Sequence, residues 1–181
     1  MDACPFQYLA RPQNPKGQRL FYALLLFAIA LAVASVASPG YRGVIALVAV
    51  GAIVAALVVF NRYVIAEYLY SVLITGEGEP LFVVASRTGK RVTTLCRIAL
   101  ADIRSIERQE PKERAAHKTP AGYAKYIYLP TLAPKVCYRL TALSRYERAE
   151  ILIEIDDPAA QTLRVLCEAA AADRAETEEN D

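Results

Sequence analysis

Two stretches of the chain carry no acidic or basic residue and almost no polar side chain: residues 20–38, LFYALLLFAIALAVASVAS, and residues 43–60, GVIALVAVGAIVAALVVF. As helices rising ~1.5 Å per residue, each reaches roughly 27–29 Å, close to the ~30 Å hydrocarbon core of a bilayer. Neither alternates as a barrel strand must, so both are expected to be membrane-spanning helices. Pro39-Gly40-Tyr41-Arg42 between them is turn chemistry, and so short a link makes the helices antiparallel neighbours. Small residues recur at four-residue spacing, Ala30, Ala34 and Ser38 in the first helix and Gly51 and Ala55 in the second. Such ridges let backbones approach in lipid, against each other or against a partner's helix. The rival for the first stretch is a cleaved signal peptide, with Ser35-Val36-Ala37 as a small-residue cleavage site. The apolar run from Leu20 is longer than the ~7–15 residue core of such peptides, which favours a retained span.

From Glu67 the apolar period changes to two. Tyr68, Tyr70, Val72 and Ile74 share one face, with Glu67, Ser71 and Thr75 among those on the other. Turn residues at 76–80 close this strand. A second strand covers 81–87, the tight turn Thr88-Gly89-Lys90 follows, and a third covers 91–98, with Val92, Thr94, Cys96 and Ile98 on one face. A shorter strand around Ile103 and Ile106 completes an expected antiparallel meander. Residues 109–124, with Pro111, Pro120 and Gly122 among charges, read as an exposed loop. Pairing resumes at 126–128 and 136–140, and a last strand alternates Ile151, Ile153 and Ile155 with Glu150, Leu152 and Glu154 on a wet face. Asp157-Pro158 reads as an N-cap and first helical proline, opening a helix with Leu163, Leu166, Cys167 and Ala170 on one face. The expected class is α+β: tail 1–19, transmembrane hairpin 20–62, β domain 63–172, and an acidic frayed tail 173–181.

Charge adds an orientation. Lys and Arg number 21 against 19 Asp and Glu, a net +2 too small and too scattered for a nucleic-acid reader. Near the spans, Arg11, Lys16 and Arg19 precede the first and Arg62 follows the second, whereas the link holds only Arg42. The positive-inside bias then puts both termini and the β domain in the cytoplasm, as a multi-pass protein of the cell membrane with residues 1–19 lying at the lipid surface. Uncharged spans offer no ion or proton path.

Candidate chemistry is sparse. Cys4, Cys96, Cys137 and Cys167 form no CxxC pair and have no histidine at ligand spacing, so reduced thiols are expected and no metal or cofactor. His117, the single histidine, reads as a solvated loop residue. The acids Glu107, Asp156 and Asp157 meet no nucleophile, base or phosphate-binding glycine loop, so no catalytic residue is assigned and a non-enzyme is expected.

Three stretches carry a resemblance: Arg62-Tyr63-Val64-Ile65 leading into Tyr68-Leu69-Tyr70; Cys96-Arg97-Ile98-Ala99-Leu100-Ala101-Asp102-Ile103; and Arg145-Tyr146-Glu147-Arg148-Ala149-Glu150-Ile151. With about seven strands and one closing helix, the chain resembles small bacterial membrane proteins in which a helical hairpin precedes a pleckstrin-homology (PH)-like domain. The resemblance covers ~100 residues, the size of one small domain. It implies an antiparallel PH-like β-barrel or sandwich capped by the C-terminal helix, and a non-catalytic module. Many PH domains bind phosphoinositides with basic residues around the first strand–strand turn. Here that turn holds Glu77 and Glu79, which disfavours such a pocket.

The next turn is basic. If the first strand runs away from the bilayer, its far turn lies ~25 Å off, beyond a Debye length. The second strand then returns Arg87, Lys90 and Arg91 toward the headgroups, where each gains ~1 kcal/mol near an anionic leaflet. The expected function is a membrane-tethered interaction module whose partners are the lipid bilayer and a protein or a second copy. Its surface would include residues 109–124 and the groove beside the C-terminal helix. The alternative is an accessory subunit of a larger transport-type complex, packing through the hairpin.

Overall fold

Helix α1 (Pro15–Ala37) and helix α2 (Arg42–Phe60) are joined by a 3-10 turn, Pro39–Tyr41. In this computed structural model, which describes residues 4–12, 15–37, 39–76, 78–143 and 148–180, α2 runs on through a π-turn, Asn61–Ile65. Both helices are long and apolar enough to cross a membrane, and most of their side chains are exposed, unlike those of a core helix in a water-soluble domain. The first helix starts earlier than the apolar run because Pro15 supplies a preset first helical residue.

The seam between α1 and α2 runs through Ala28, Ala49 and Ala56, at 2%, 5% and 1% exposure, with the rings of Phe21 and Phe60 4.9 Å apart. The ridges expected from spacing do not form it. Ala30, Gly51 and Ala55 are exposed, a Cβ on Gly51 would meet nothing within 4 Å, and Ala34 is half-buried. Ser38 lies outside the described residues. The seam's phase was not legible, because helices apolar all round give hydrophobicity no face to mark.

The β-rich unit comprises the residues up to Arg11, Glu67–Leu129 and those from Ala133 on, while 12–66 and 130–132 group as a second unit. Its first sheet has the order β1-β2-β3-β4, all antiparallel: β1 (Phe6–Ala10), β2 (Glu67–Ile74), β3 (Pro80–Thr88) and β4 (Arg91–Ala99). Strand β1 corrects the expectation of a polar tail over 1–19. Phe6 pairs with Val72 and Ala10 with Tyr68, and both Phe6 and Ala10 are buried in the core. The hairpin is therefore an insertion between the first two strands of one sheet.

The second sheet has the order β5-β7-β8-β6: β5 (Ile103–Gln109), β6 (Tyr123–Tyr128), β7 (Cys137–Leu143) and β8 (Arg148–Ile153). Strand β6 runs parallel to β8, so the unit is mixed rather than wholly antiparallel. The expected four-strand meander stops after β4. A 3-10 turn, Leu100–Asp102, buries Leu100 and hands the chain to the second sheet. No hydrogen-bonded ladder joins the sheets among the described residues; they share a core instead. Tyr70 and Phe82 from one sheet meet Leu140, Ile151 and Ile153 from the other, and Leu163 of helix α4 (Asp157–Asn180) closes the cluster. The fully buried Tyr70 hydroxyl donates to the Tyr128 carbonyl at 2.6 Å and accepts the Glu154 N–H at 3.2 Å, bridging the two sheets.

Two details at the ends of α4 differ from expectation. The Ala159 N–H donates to the Asp156 carboxylate at 2.9 Å, so the cap is Asp156. Asp157 instead accepts the Tyr138 hydroxyl and lies 3.8 Å from Arg108. The acidic segment from 173 continues the helix, where Arg174 pairs with Asp102 at 2.7 Å. Residues 109–124 are also more ordered than a loop. Gln109 is buried at the end of β5, and helix α3 (Pro111–Ala116) starts with the Glu110 N–H donating to Glu113 at 3.0 Å.

Candidate functional site

The β3–β4 turn sits at one end of the first sheet. Gly89 has φ +61, the left-handed backbone that a two-residue hairpin requires at its first position. Arg87, Lys90 and Arg91 are all exposed there. Arg87 is in register with Glu67 on one side and Val92 on the other, so these three side chains share a face. Glu67 lies 3.3 Å from Arg11 and 3.9 Å from Arg87, and the Arg87 Nε donates to the Gly89 carbonyl at 3.3 Å. Arg87 is thus partly committed, whereas Lys90 and Arg91 form no salt bridge among the described residues. Val92 stands beside them 56% exposed, giving the tip an apolar point within a basic patch.

The same end carries both chain crossings. The β unit is left at Arg11 and re-entered at Glu67, the residues flanking the Ala10–Tyr68 pair. The turn with Glu79 is at the other end, beyond the Ile74–Pro80 pair. With β2 8 residues long, the acidic and basic turns are ~25 Å apart. Glu77 lies outside the described residues.

Grooves flank α4 on both sides. One, of about 380 Å³, is lined by Glu79, Pro80, Asp173, Arg174 and Thr177; the other, of about 280 Å³, by Arg104, Ser105, Arg164 and Glu168. Arg174 is held by Asp102, and Arg164 donates to the Ile106 carbonyl at 2.7 Å. These cations serve the fold, and neither groove converges charge on a ligand.

The second sheet holds a polar cluster that the sequence did not reveal. Glu150, expected on a wet face, is 3% exposed. Its carboxylate lies 2.8 Å from His117 Nε2 and accepts Thr119 Oγ1 at 2.9 Å; Arg139 Nη1 is 4.0 Å away, and Arg139 also pairs with Glu107. His117 is therefore no solvated loop residue. Its partner is 33 positions away, too far for any local motif to show. Burial, the largest single effect, pushes the Glu150 carboxyl up. The hydrogen bonds of His117 and Thr119 and the charges of His117 and Arg139 together outweigh it and hold the group below its ordinary 4.5.

A carboxyl lowered by folding contributes stability that is fully present above its unfolded value and is lost as pH falls through its folded value. Denaturation midpoints measured in acid should therefore show a loss below about pH 4.5 that Glu150→Gln lacks. Equal acid profiles would contradict it.

The remaining candidates are accounted for by packing. Glu107, Asp156 and Asp157 have the partners named above. None of the four cysteines is in a disulfide, and Cys137 and Cys167 are buried; burial pushes Cys137 up and Cys167 to about 11, the reverse of activation. Among the described residues no three His, Cys, Asp or Glu side chains converge as a metal set. Comparison of the chain with protein-family models, with curated proteins and with solved structures yields no match.

Proposed function

We propose that this chain is a non-catalytic membrane-anchored interaction module, with α1 and α2 in the cell membrane and a PH-like domain held at its cytoplasmic surface. The observation that carries the reading is positional: the sheet end from which the chain departs for the apolar helices, at Arg11, and to which it returns, at Glu67, is the end that presents Arg87, Lys90 and Arg91. On that reading the basic tip is the part of the sheet nearest in sequence to both helices, and the turn with Glu79 is at the sheet's other end. Lys16, Arg19 and Arg62 at the helix ends support the cytoplasmic side. Two sheets sharing one core under a C-terminal helix support the PH-like reading, with β1 and the parallel β6 as this chain's variations.

Full-length protein in nanodiscs provides the test. Amide exchange over residues 87–92 should be several-fold slower in phosphatidylglycerol than in phosphatidylcholine. The difference should vanish when Arg87, Lys90 and Arg91 are all replaced by Glu. Equal exchange in both lipids, or a difference that survives the triple replacement, refutes the surface contact. Digestion of the β domain by protease added outside intact cells refutes the orientation.

A second reading is an accessory subunit of a larger membrane complex. It is favoured by the outward position of Ala30, Gly51 and Ala55, which leaves small residues available to a partner's helix. A stoichiometric partner retained in mild detergent through the hairpin alone would select it.

A further inference from the structure

We propose that residues 111–119 form a strap latched onto the second sheet by the charge of Glu150, and that neutralising this carboxylate releases the strap while the core stays folded. The segment has little order of its own. Helix α3 is 6 residues long, far below the length at which an isolated helix persists in water, so its position depends on what it grips. Two of its side chains, His117 and Thr119, converge on the Glu150 carboxylate, and Arg114 Nη1 reaches over the Cys137 sulfur at 3.9 Å.

The groups around the carboxylate make its charge decisive. Arg139 faces it from β7, with Nη1 buried and lacking a hydrogen-bond partner among the described residues. Lys125 of β6 and Thr141 of β7 occupy the register positions on either side of Glu150, and Glu107 of β5 holds the other side of Arg139. With Glu150 ionised, the guanidinium has an anion on both flanks and the strap's two donors have a charged acceptor. With Glu150 neutral, those bonds weaken to ordinary ones and the guanidinium lacks compensation on the strap side. Lifting the strap lets water reach Nη1, and it uncovers the Cys137 thiol. Cys167, buried against the main core on α4, is untouched by that motion.

The experiment compares full-length wild type with Glu150→Gln in detergent micelles at neutral pH. It follows amide exchange by residue and alkylation of each cysteine by peptide mass. In the variant, amides 114–119 should exchange about tenfold faster or more, with Cys137 alkylated faster by a similar factor and Cys167 at its wild-type rate. His117→Ala, which keeps the Glu150 charge and the Thr119 bond, should loosen the strap less than Glu150→Gln does. Wild-type rates at both the strap and Cys137 in Glu150→Gln overturn the latch. A parallel rise at Cys167 also overturns it, because Glu150 would then support the whole domain rather than one segment.

Discussion

Removing residues 12–66 and joining Arg11 to Glu67 through a two-residue Asn-Gly turn should yield a soluble chain that unfolds cooperatively. The geometry needed is already present. Ala10 and Tyr68 are antiparallel partners, so Arg11 and Glu67 follow as the next pair, and their side chains meet at 3.3 Å. Asn-Gly favours the turn type that closes two such strands without splaying them. A chain that simply starts at Glu67 should behave differently. It leaves the outer edge of β2 unpaired, a template for association with other chains. It also loses the burial of Phe6 and Ala10 and the stacking of Tyr8 on Tyr70, whose ring centroids are 6.4 Å apart. Deleting a buried phenylalanine alone costs about 3–5 kcal/mol, a large share of a small domain's stability. Size-exclusion chromatography and urea denaturation of the two shortened chains check this. Equal midpoints and equal dispersity would show that β1 adds nothing to the fold.

Tyr70→Phe should be the most damaging loss of a single oxygen in the molecule. The hydroxyl lies in the core between the sheets, where it donates to the Tyr128 carbonyl and accepts the Glu154 N–H. Without it, both backbone groups lose that partner in the interior, at about 1–3 kcal/mol for each group left unsatisfied. The ring and its packing remain, so the loss reports on the bridge alone. Burial pushes this hydroxyl well above the ordinary tyrosine range, so it stays neutral through the accessible pH range. The destabilisation should therefore be the same at pH 5 and pH 8. Urea midpoints at both pH values test it, and an unchanged stability would mean that the bridge carries no net weight.

What the sequence disclosed follows from the range of the forces involved. The two apolar helices announce themselves by unbroken hydrophobicity, and β2 and α4 by local period, because each has one kind of neighbour over many residues. The single face expected for Val92, Thr94, Cys96 and Ile98 in β4 is broken by a bulge opposite Val84 and Ala85, and the wet face expected of β8 is buried. Strand β1 hides because FQYLA is short, lies between prolines, and has its partner on the far side of an inserted hairpin. The parallel pairing of β6 with β8 and the departure of β5 from the meander are choices between partners, which alternation alone cannot make. At the candidate surface, Arg87, Lys90 and Arg91 were legible since a glycine turn fixes their place between two strands. The Glu150 cluster was not, because its members come from β7, β8 and the segment after α3, and only the folded sheet brings them together.

The interrupted sheet also sets a schedule. During synthesis β1 emerges first and must wait, without its neighbour, until α1, α2 and then β2 have been made. If α1 and α2 span the membrane, its pairing with β2 demands that both ends of the inserted segment finish in the same aqueous compartment. On the membrane-spanning reading, a ribosome product in which only one helix had inserted would strand β1 across the bilayer from its mate. Completion of the sheet would then double as a checkpoint on insertion, with failed copies left displaying a raw edge to quality control.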